Sequence, residues 1–248
     1  MPSITVDNCL FDLDGTIVWT NLAAESVWRD LCKEYNVDPN ELFKHSHGSR
    51  TGEVLAKWFP EIDNTDNKAA AMLERRMADD YTDTVKLIPG AHDLLVSLDT
   101  DTNTGAKLSK GRKWAIVTSG TPYIAFKWFT TILKDVGKPN VFITSDDVTK
   151  GKPDPQGFQT AFNRLCNQWG VPLDKGKTVI FEDSPLGIQA GKTMGCYTVG
   201  ITTSYSKEVL FKAGADFVVE DLTHVTVSQN SDGDQIVLEI TNPLEIQQ

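Results

Sequence analysis

The chain has 248 residues, of which 24 are Lys or Arg and 34 are Asp or Glu, giving a formal charge of −10 at pH 7. That length buries a full core without metal or disulfide staples, and no apolar run approaches the roughly 20 residues of a membrane span, which excludes mini-protein scaffolds and transmembrane proteins. The acidic excess repels a phosphate backbone and the Lys and Arg residues are scattered, so nucleic acid is excluded as a partner; a small anion is not, provided positive charge collects at one site.

Residues 4–11 read as one apolar strand that ends abruptly in Asp12-Leu13-Asp14-Gly15-Thr16, a polar cluster with a turn residue. From about 19 to 85 the apolar residues recur at helical spacing, as in Ala24, Val27, Trp28, Leu31, Cys32 and Tyr35, then Val54, Leu55 and Trp58, then Met72, Leu73 and Met77. This stretch reads as all-helical, with Trp19, Trp28 and Trp58 packing it. The pattern breaks at Ile88-Pro89-Gly90. Apolar strands at Trp114–Val117, 141–144, 178–181, Tyr197–Ile201 and Phe217–Val219 then alternate with helices, the rhythm of a parallel sheet covered on both faces. Residues 99–112, rich in Thr, Lys, Asp and Gly, read as a surface loop. Val225 and Val227, then Ile236, Leu238 and Ile240, flank Asn230-Ser231-Asp232-Gly233-Asp234, which predicts a C-terminal β-hairpin that extends or covers the sheet.

Four motifs stand at predicted strand ends, where open α/β sheets bind ligands. In the first, Asp12 and Asp14 project from one short loop, and Gly15 lets backbone approach a ligand. Two carboxylates there suit a hard cation such as Mg²⁺, or a nucleophile beside a general acid/base; the plain alternative is a turn with capping aspartates. The second, Ile116-Val117-Thr118-Ser119-Gly120, is taken alone as readily a turn. In the third, Lys150-Gly151-Lys152-Pro153-Asp154-Pro155, a lysine fixed by the following proline can deliver a point charge to phosphate, and Lys150 reads as a solvated charge. The fourth, Val179-Ile180-Phe181-Glu182-Asp183-Ser184-Pro185, ends in two acids that could equally cap a helix.

In kind and order these motifs resemble those of the haloacid dehalogenase superfamily of phosphohydrolases. The resemblance implies a Rossmann-like, doubly wound α/β core of residues 1–18 and 86–248 with an inserted helical cap of residues 19–85. It implies Asp12 as nucleophile and Asp14 as general acid/base, with Thr118, its neighbour Ser119 and Lys152 holding the phosphoryl group. It places Mg²⁺ on Asp12, on Asp14 through its backbone carbonyl and on Asp183, with Glu182 a direct ligand or one step behind. Ser184 departs from the pattern, standing where many relatives carry alanine. The cap segment His45-Ser46-His47-Gly48-Ser49-Arg50-Thr51 puts forward Arg50 for the substrate's phosphate or a sugar hydroxyl, with His47 bonding nearby. His45 reads as structural, and zinc lacks a third ligand there.

Phe11-Asp12-Leu13-Asp14-Gly15-Thr16-Ile17-Val18, Lys44-His45-Ser46-His47-Gly48, Lys113-Trp114-Ala115-Ile116-Val117-Thr118-Ser119-Gly120, Gly151-Lys152-Pro153-Asp154-Pro155 and Ala213-Gly214-Ala215-Asp216 are similar to a fungal branch of this superfamily, the 2-deoxyglucose-6-phosphate phosphatases. Fungal glycerol-phosphate phosphatases share the H-G-x-R-T cap segment. The implied activity is Mg²⁺-dependent hydrolysis of a small sugar phosphate through an aspartyl-phosphate. A glycerol-phosphate phosphatase and a sugar-phosphate mutase stand as alternatives. A catalytically silent phosphate-binding module is disfavoured by the joint presence of Asp12, Asp14, Lys152 and Asp183.

Gly187-Ile188-Gln189-Ala190-Gly191-Lys192-Thr193 imitates a phosphate-binding loop but is one residue short, and reads as helix packing. Cys9, Cys32, Cys166 and Cys196 form no C-x-x-C pair and read as reduced, buried thiols. With no targeting segment in view, the cytoplasm and a monomer are the default expectations.

Overall fold

The computed structural model describes residues 2–172 and 174–245. Strands β1 (Ser3–Val6), β2 (Asn8–Phe11) and β3 (Val18–Trp19) lead into four helices, α1 (Asn21–Tyr35), α2 (Pro39–Ser46), α3 (Thr51–Trp58) and α4 (Lys68–Asp80). The chain returns through β4 (Lys86–Leu87), antiparallel to β3. It then alternates through α5 (Ala91–Leu98), β5 (Trp114–Val117), α6 (Pro122–Thr130), β6 (Phe142–Ile143), α7 (Gln156–Trp169), β7 (Thr178–Glu182), α8 (Pro185–Met194), β8 (Tyr197–Ile201), α9 (Lys207–Ala213) and β9 (Phe217–Val219). Strands β10 (Val225–Gln229) and β11 (Ile236–Ile240) follow.

Six strands form one parallel sheet in the order β6-β5-β2-β7-β8-β9. From β2 the chain winds outward to β5 and β6, then crosses to β7 on the other side of β2, so the winding reverses there and a crevice opens at the carboxyl ends of β2, β5 and β7. Every residue of these three strands is buried, because helices cover both faces. Leu10, Ala115 and Ile180 pack toward α7 and α8, with Phe158, Phe162 and Leu165. Their neighbours Phe11, Ile116 and Phe181 face the other way, where Phe11 stacks on Phe181 at 4.6 Å. That second apolar cluster runs on into helices α1, α3 and α4, through Val27, Trp28, Leu55, Leu73 and Met77.

Two expectations need correction. Residues 4–11 are two strands, not one: β1 alternates exposed and buried residues, β2 is buried throughout, and the break falls at Asp7, whose N–H donates to Lys177 O at 2.7 Å. The alternating half suits a sheet wet on one side and the continuous half a sheet covered on both. Nor does the hairpin extend the parallel sheet. Strands β10 and β11 join β1 in a separate antiparallel sheet, order β1-β11-β10, which meets α5 along β10 and buries Ile236, Leu238 and Ile240. Its tip folds over Lys113, whose buried Nζ donates to Asn230 Oδ1 at 3.2 Å, to Asp234 O at 2.7 Å and to Ser231 O. Among the described residues no helix is long and apolar enough to cross a membrane.

Candidate active site

All four motifs meet at the carboxyl ends of β2, β5 and β7. Asp12 follows β2 and donates its N–H to Phe181 O at 3.0 Å, which continues the sheet by one residue. The chain then turns within a few residues: Gly15 has φ +92° and donates to Val18 O at 2.7 Å. A Cβ at Gly15 would lie 2.0 Å from Asp183 Oδ2, so both conformation and space require glycine.

The Lys152 ammonium lies 2.6 Å from Asp12 Oδ1, 2.6 Å from Glu182 Oε1 and 3.1 Å from Val117 O. The other Glu182 oxygen accepts the Ser184 N–H and hydroxyl, each at 2.9 Å. Glu182 is therefore spent on positioning Lys152 and the start of α8. Asp183 accepts from the Ser204 hydroxyl. Asp12 Oδ2 is buried and has no hydrogen-bond partner.

Burial pushes the Asp12 carboxyl up to about 7 against the pull of Lys152, and burial with the charges of Asp12 and Glu182 raises Asp183 well above the carboxylate range. Burial opposes the charge on Lys152, but Asp12 and Glu182 outweigh it and hold the ammonium above its usual value. Three buried carboxylates thus face one cation. Asp12, Glu182 and Asp183 each offer an oxygen within 4.8 Å of the others. An all-oxygen donor set with surplus negative charge fits a hard divalent cation. Glu182 is saturated, which leaves Asp12 and Asp183 as the candidates to hold such an ion.

Asp14 points away from this cluster. Its Oδ2 accepts from Thr118 Oγ1 at 3.2 Å and its Oδ1 from Trp128 Nε1 at 3.3 Å. Burial raises its pKa, partly offset by hydrogen bonds from Thr20, Thr118 and Trp128. Asp12, Asp14 and Thr118 open on a cavity of about 100 Å³ whose opposite wall is made by the helical segment, with Trp28, His47, Glu74 and Met77 among its lining residues.

The residues put forward around the phosphate and in the cap fall in different places. His47 lines the cavity, edge-on to Tyr205 and 3.7 Å from Glu25. Ser119 also borders it, but its hydroxyl donates to Gly48 O at 2.8 Å. Arg50 lies outside this cavity. As the N-cap of α3 it runs along the first helical turn to Glu53 Oε1, at 2.9 Å from Nε and 2.6 Å from the terminal nitrogen, and donates to Val148 O and Thr149 O at 3.2 and 3.3 Å. Its charge is met by Glu53 and its donors clasp the loop before Lys152, where a substrate phosphate was expected. His45 stacks on Trp58. Gly187 and Gly191 lie inside α8, where added Cβ atoms would come 1.8 Å from Glu182 and 2.8 Å from Thr198, the packing role expected of them. All four cysteines are free and buried.

Sequence reading passed over Trp128, Glu74 and Ser204. Ser204 follows the carboxyl end of β8, so the strand-end rule that selected the other motifs would have found it. Trp128 and Glu74 are single residues on amphipathic helices, indistinguishable by pattern from core and surface positions.

The sequence profile of haloacid dehalogenase-like hydrolases matches residues 9–201. The chain is 60% identical over 245 residues to 2-deoxyglucose-6-phosphate phosphatase 2 of Saccharomyces cerevisiae, covering 98% of this chain and 99% of that one. It is 36% identical to glycerol-1-phosphate phosphohydrolase 1 of the same yeast, covering 95% and 91%. A hydrolase from Pseudomonas syringae superposes with a TM-score of 0.66 at 25% identity, over 87% of this chain and 94% of that one. Sequence, fold and the four converging motifs agree that this chain belongs to the haloacid dehalogenase-like hydrolase family.

Proposed function

We propose that this chain is a Mg²⁺-dependent phosphomonoester hydrolase acting on small sugar phosphates, 2-deoxyglucose 6-phosphate or related hexose phosphates, through an aspartyl-phosphate on Asp12. The observation that carries the chemistry is the sorting of the Asp12 oxygens: Lys152 holds Oδ1, while Oδ2 is buried, unpaired and free to attack. The substrate class rests on the 60% identity to a yeast 2-deoxyglucose-6-phosphate phosphatase over nearly the whole of both chains.

In this reading Asp12 Oδ2 forms a bond to phosphorus as the bond to the sugar oxygen breaks. Asp14, protonated through the burial that raises its pKa and steered by Thr118 and Trp128, gives its proton to the departing oxygen. Asp14 then takes a proton from water, whose oxygen attacks phosphorus and frees Asp12 and inorganic phosphate. Lys152 and the Thr118 hydroxyl hold the phosphoryl oxygens throughout. A magnesium ion held by Asp12 and Asp183, and by Asp14 through its backbone carbonyl, would supply charge neutralisation for those oxygens. Residues 19–85 serve as a cap over a core of residues 1–18 and 86–248, contributing His47 and the apolar wall to the leaving-group side. One chain supplies every one of these groups, so a monomer suffices, and four buried free thiols suit the reducing cytoplasm.

The small cavity, below the roughly 300 Å³ of common ligand pockets, gives the glycerol-phosphate reading its own support. A kcat/KM panel over hexose, pentose and glycerol phosphates separates the two, and free phosphate rather than an isomeric sugar phosphate must be the product. Asp12→Asn should abolish turnover; Mg²⁺-dependent phosphate release surviving in that variant would remove Asp12 as the nucleophile.

A further inference from the structure

The seam between α4 and α6 buries a carboxylate that the steps above leave unused. Glu74 is 3% exposed, and its hydrogen-bond donors are all neutral. Its Oε1 accepts from Thr51 Oγ1 at 2.7 Å, and its Oε2 accepts from the Thr121 N–H at 2.7 Å and from the Thr121 hydroxyl. A buried acid with only neutral partners is costly, and the neighbouring inward positions of the same helix, Leu73 and Met77, show what plain packing uses there. Docking of the two helices has its own contacts: Asp79 takes Lys127 at 2.5 Å and Tyr123 at 2.9 Å on the outer edge of the seam.

What Glu74 holds is the next residue after Thr118-Ser119-Gly120. Thr121 is the N-cap of α6, makes no side-chain cap of its own and is followed by Pro122, so Glu74 is the partner that receives its N–H. The loop 118–120 is pinned at its start by Thr118 N–H to Ile143 O at 3.0 Å and at its end by Glu74. Inside it, Thr118 Oγ1 accepts from the Gly120 N–H at 3.0 Å and reaches Asp14 Oδ2. Two turns along α6, Trp128 reaches Asp14 Oδ1. Both of these hydrogen bonds to Asp14 therefore come from a segment whose middle is anchored by a residue of the helical insert.

We infer that Glu74 is a positioning residue that, through Thr121, sets the 118–120 loop and α6 so that Thr118 and Trp128 hold Asp14 in its working orientation only while the 19–85 segment is seated. The assignment rests on the roles proposed above for Asp14 and Thr118. It makes proton transfer to the leaving group depend on a carboxylate of the helical segment whose two oxygens are taken by Thr51 and Thr121.

The test compares Glu74→Ala, Glu74→Gln and Asp79→Ala with the unaltered chain for kcat and KM on 2-deoxyglucose 6-phosphate and on p-nitrophenyl phosphate, together with melting temperature. Glu74→Ala should lower kcat on the order of a hundredfold on the sugar ester with little change in KM, because misplacement of about 1 Å costs that much, and by much less on p-nitrophenyl phosphate, whose nitrophenolate leaves with little need of a proton. Glu74→Gln, which keeps an acceptor for the Thr121 N–H, should recover most of the loss. Asp79→Ala, which loosens the same seam at its outer edge, should lower the melting temperature and leave kcat unchanged. A kcat on the sugar ester for folded Glu74→Ala within about twofold of the unaltered chain would overturn the assignment, since a hundredfold misplacement effect would be missing. So would a loss on the sugar ester that appeared as a raised KM with kcat unchanged, which would make Glu74 an acceptor for substrate hydroxyls. Should Glu74→Ala fail to fold, Glu74→Met decides, since it keeps the bulk and removes every acceptor: it should show the same loss of kcat on the sugar ester, and a kcat within about twofold of the unaltered chain would overturn the assignment. If the unaltered chain hydrolyses neither ester, the proposed function falls and this assignment with it; an active chain with an indifferent Glu74→Ala sinks the assignment alone.

Discussion

Lys152 stands 2.6 Å from both Asp12 and Glu182, and that single ammonium decides what each carboxylate can do. Glu182 is saturated by Lys152 and Ser184, whereas Asp12 keeps one oxygen unpaired. Glu74 is a third kind of buried acid, with neutral donors only. Its folded pKa is raised, chiefly by burial, with Asp14 across the cavity adding to the shift and the donors Thr121 and Thr51 opposing it. Between the ordinary value of 4.5 and that raised value the folded chain binds the proton and the unfolded chain does not, so this contribution to stability falls as pH rises through the window. Glu74→Gln cannot titrate. Urea unfolding of both proteins from pH 4.5 upward should show the variant gaining on the unaltered chain as pH rises. A difference independent of pH would show that Glu74 keeps its ordinary affinity for protons.

At the scale of elements, helix α8 reaches the site because Gly187 lets it lie against Glu182. A Cβ there would sit 1.8 Å from Glu182 Oε1, the oxygen that holds Lys152. Gly187→Ala should therefore cost about 1–3 kcal/mol in urea unfolding, as overpacking does, and slow turnover as well, because the carboxylate must leave Lys152 to make room. A variant that lost stability but kept full kcat would show that Lys152 needs no support from Glu182. The antiparallel sheet depends on Lys113 in a comparable way. Lys113→Met would strand two carbonyls and the Asn230 side chain inside the hairpin tip, and should destabilise the fold by about 2–4 kcal/mol in the same assay, with kcat per folded molecule unchanged.

Over the whole molecule, a chain of formal charge −10 has to bind a dianion. Lys152 alone does not reverse the sign where Asp12, Glu182 and Asp183 converge. Phosphate binding should accordingly depend on the metal. Titration of Mg²⁺ into chelated protein should raise the unfolding free energy, by about 2.7 kcal/mol at a hundredfold excess over Kd, and should strengthen phosphate binding in calorimetry. Asp183→Asn should blunt both effects. Phosphate-ester affinity that survived chelation unchanged would contradict this account of the site's charge.

Local signals in consecutive residues were enough for the doubly wound sheet, for the run of helices between the first two motifs and for the acids, hydroxyls and lysine that the fold brings together, because strand ends and periodicity are written along the chain. They also identified Gly187 and Gly191 as packing positions, since the spacing of a phosphate loop is a countable property. Tertiary structure alone decided the rest. The break at Asp7 and the separate β1-β11-β10 sheet depend on which surface each half-strand meets. Arg50 is taken up by Glu53 and two carbonyls of the loop before Lys152, and that reach is set by the packing of α3 against a loop about a hundred residues away. Trp128 and Glu74 owe their places to the docking of α4 on α6, where two helices each unremarkable in pattern bring an indole and a carboxylate into the neighbourhood of Asp14.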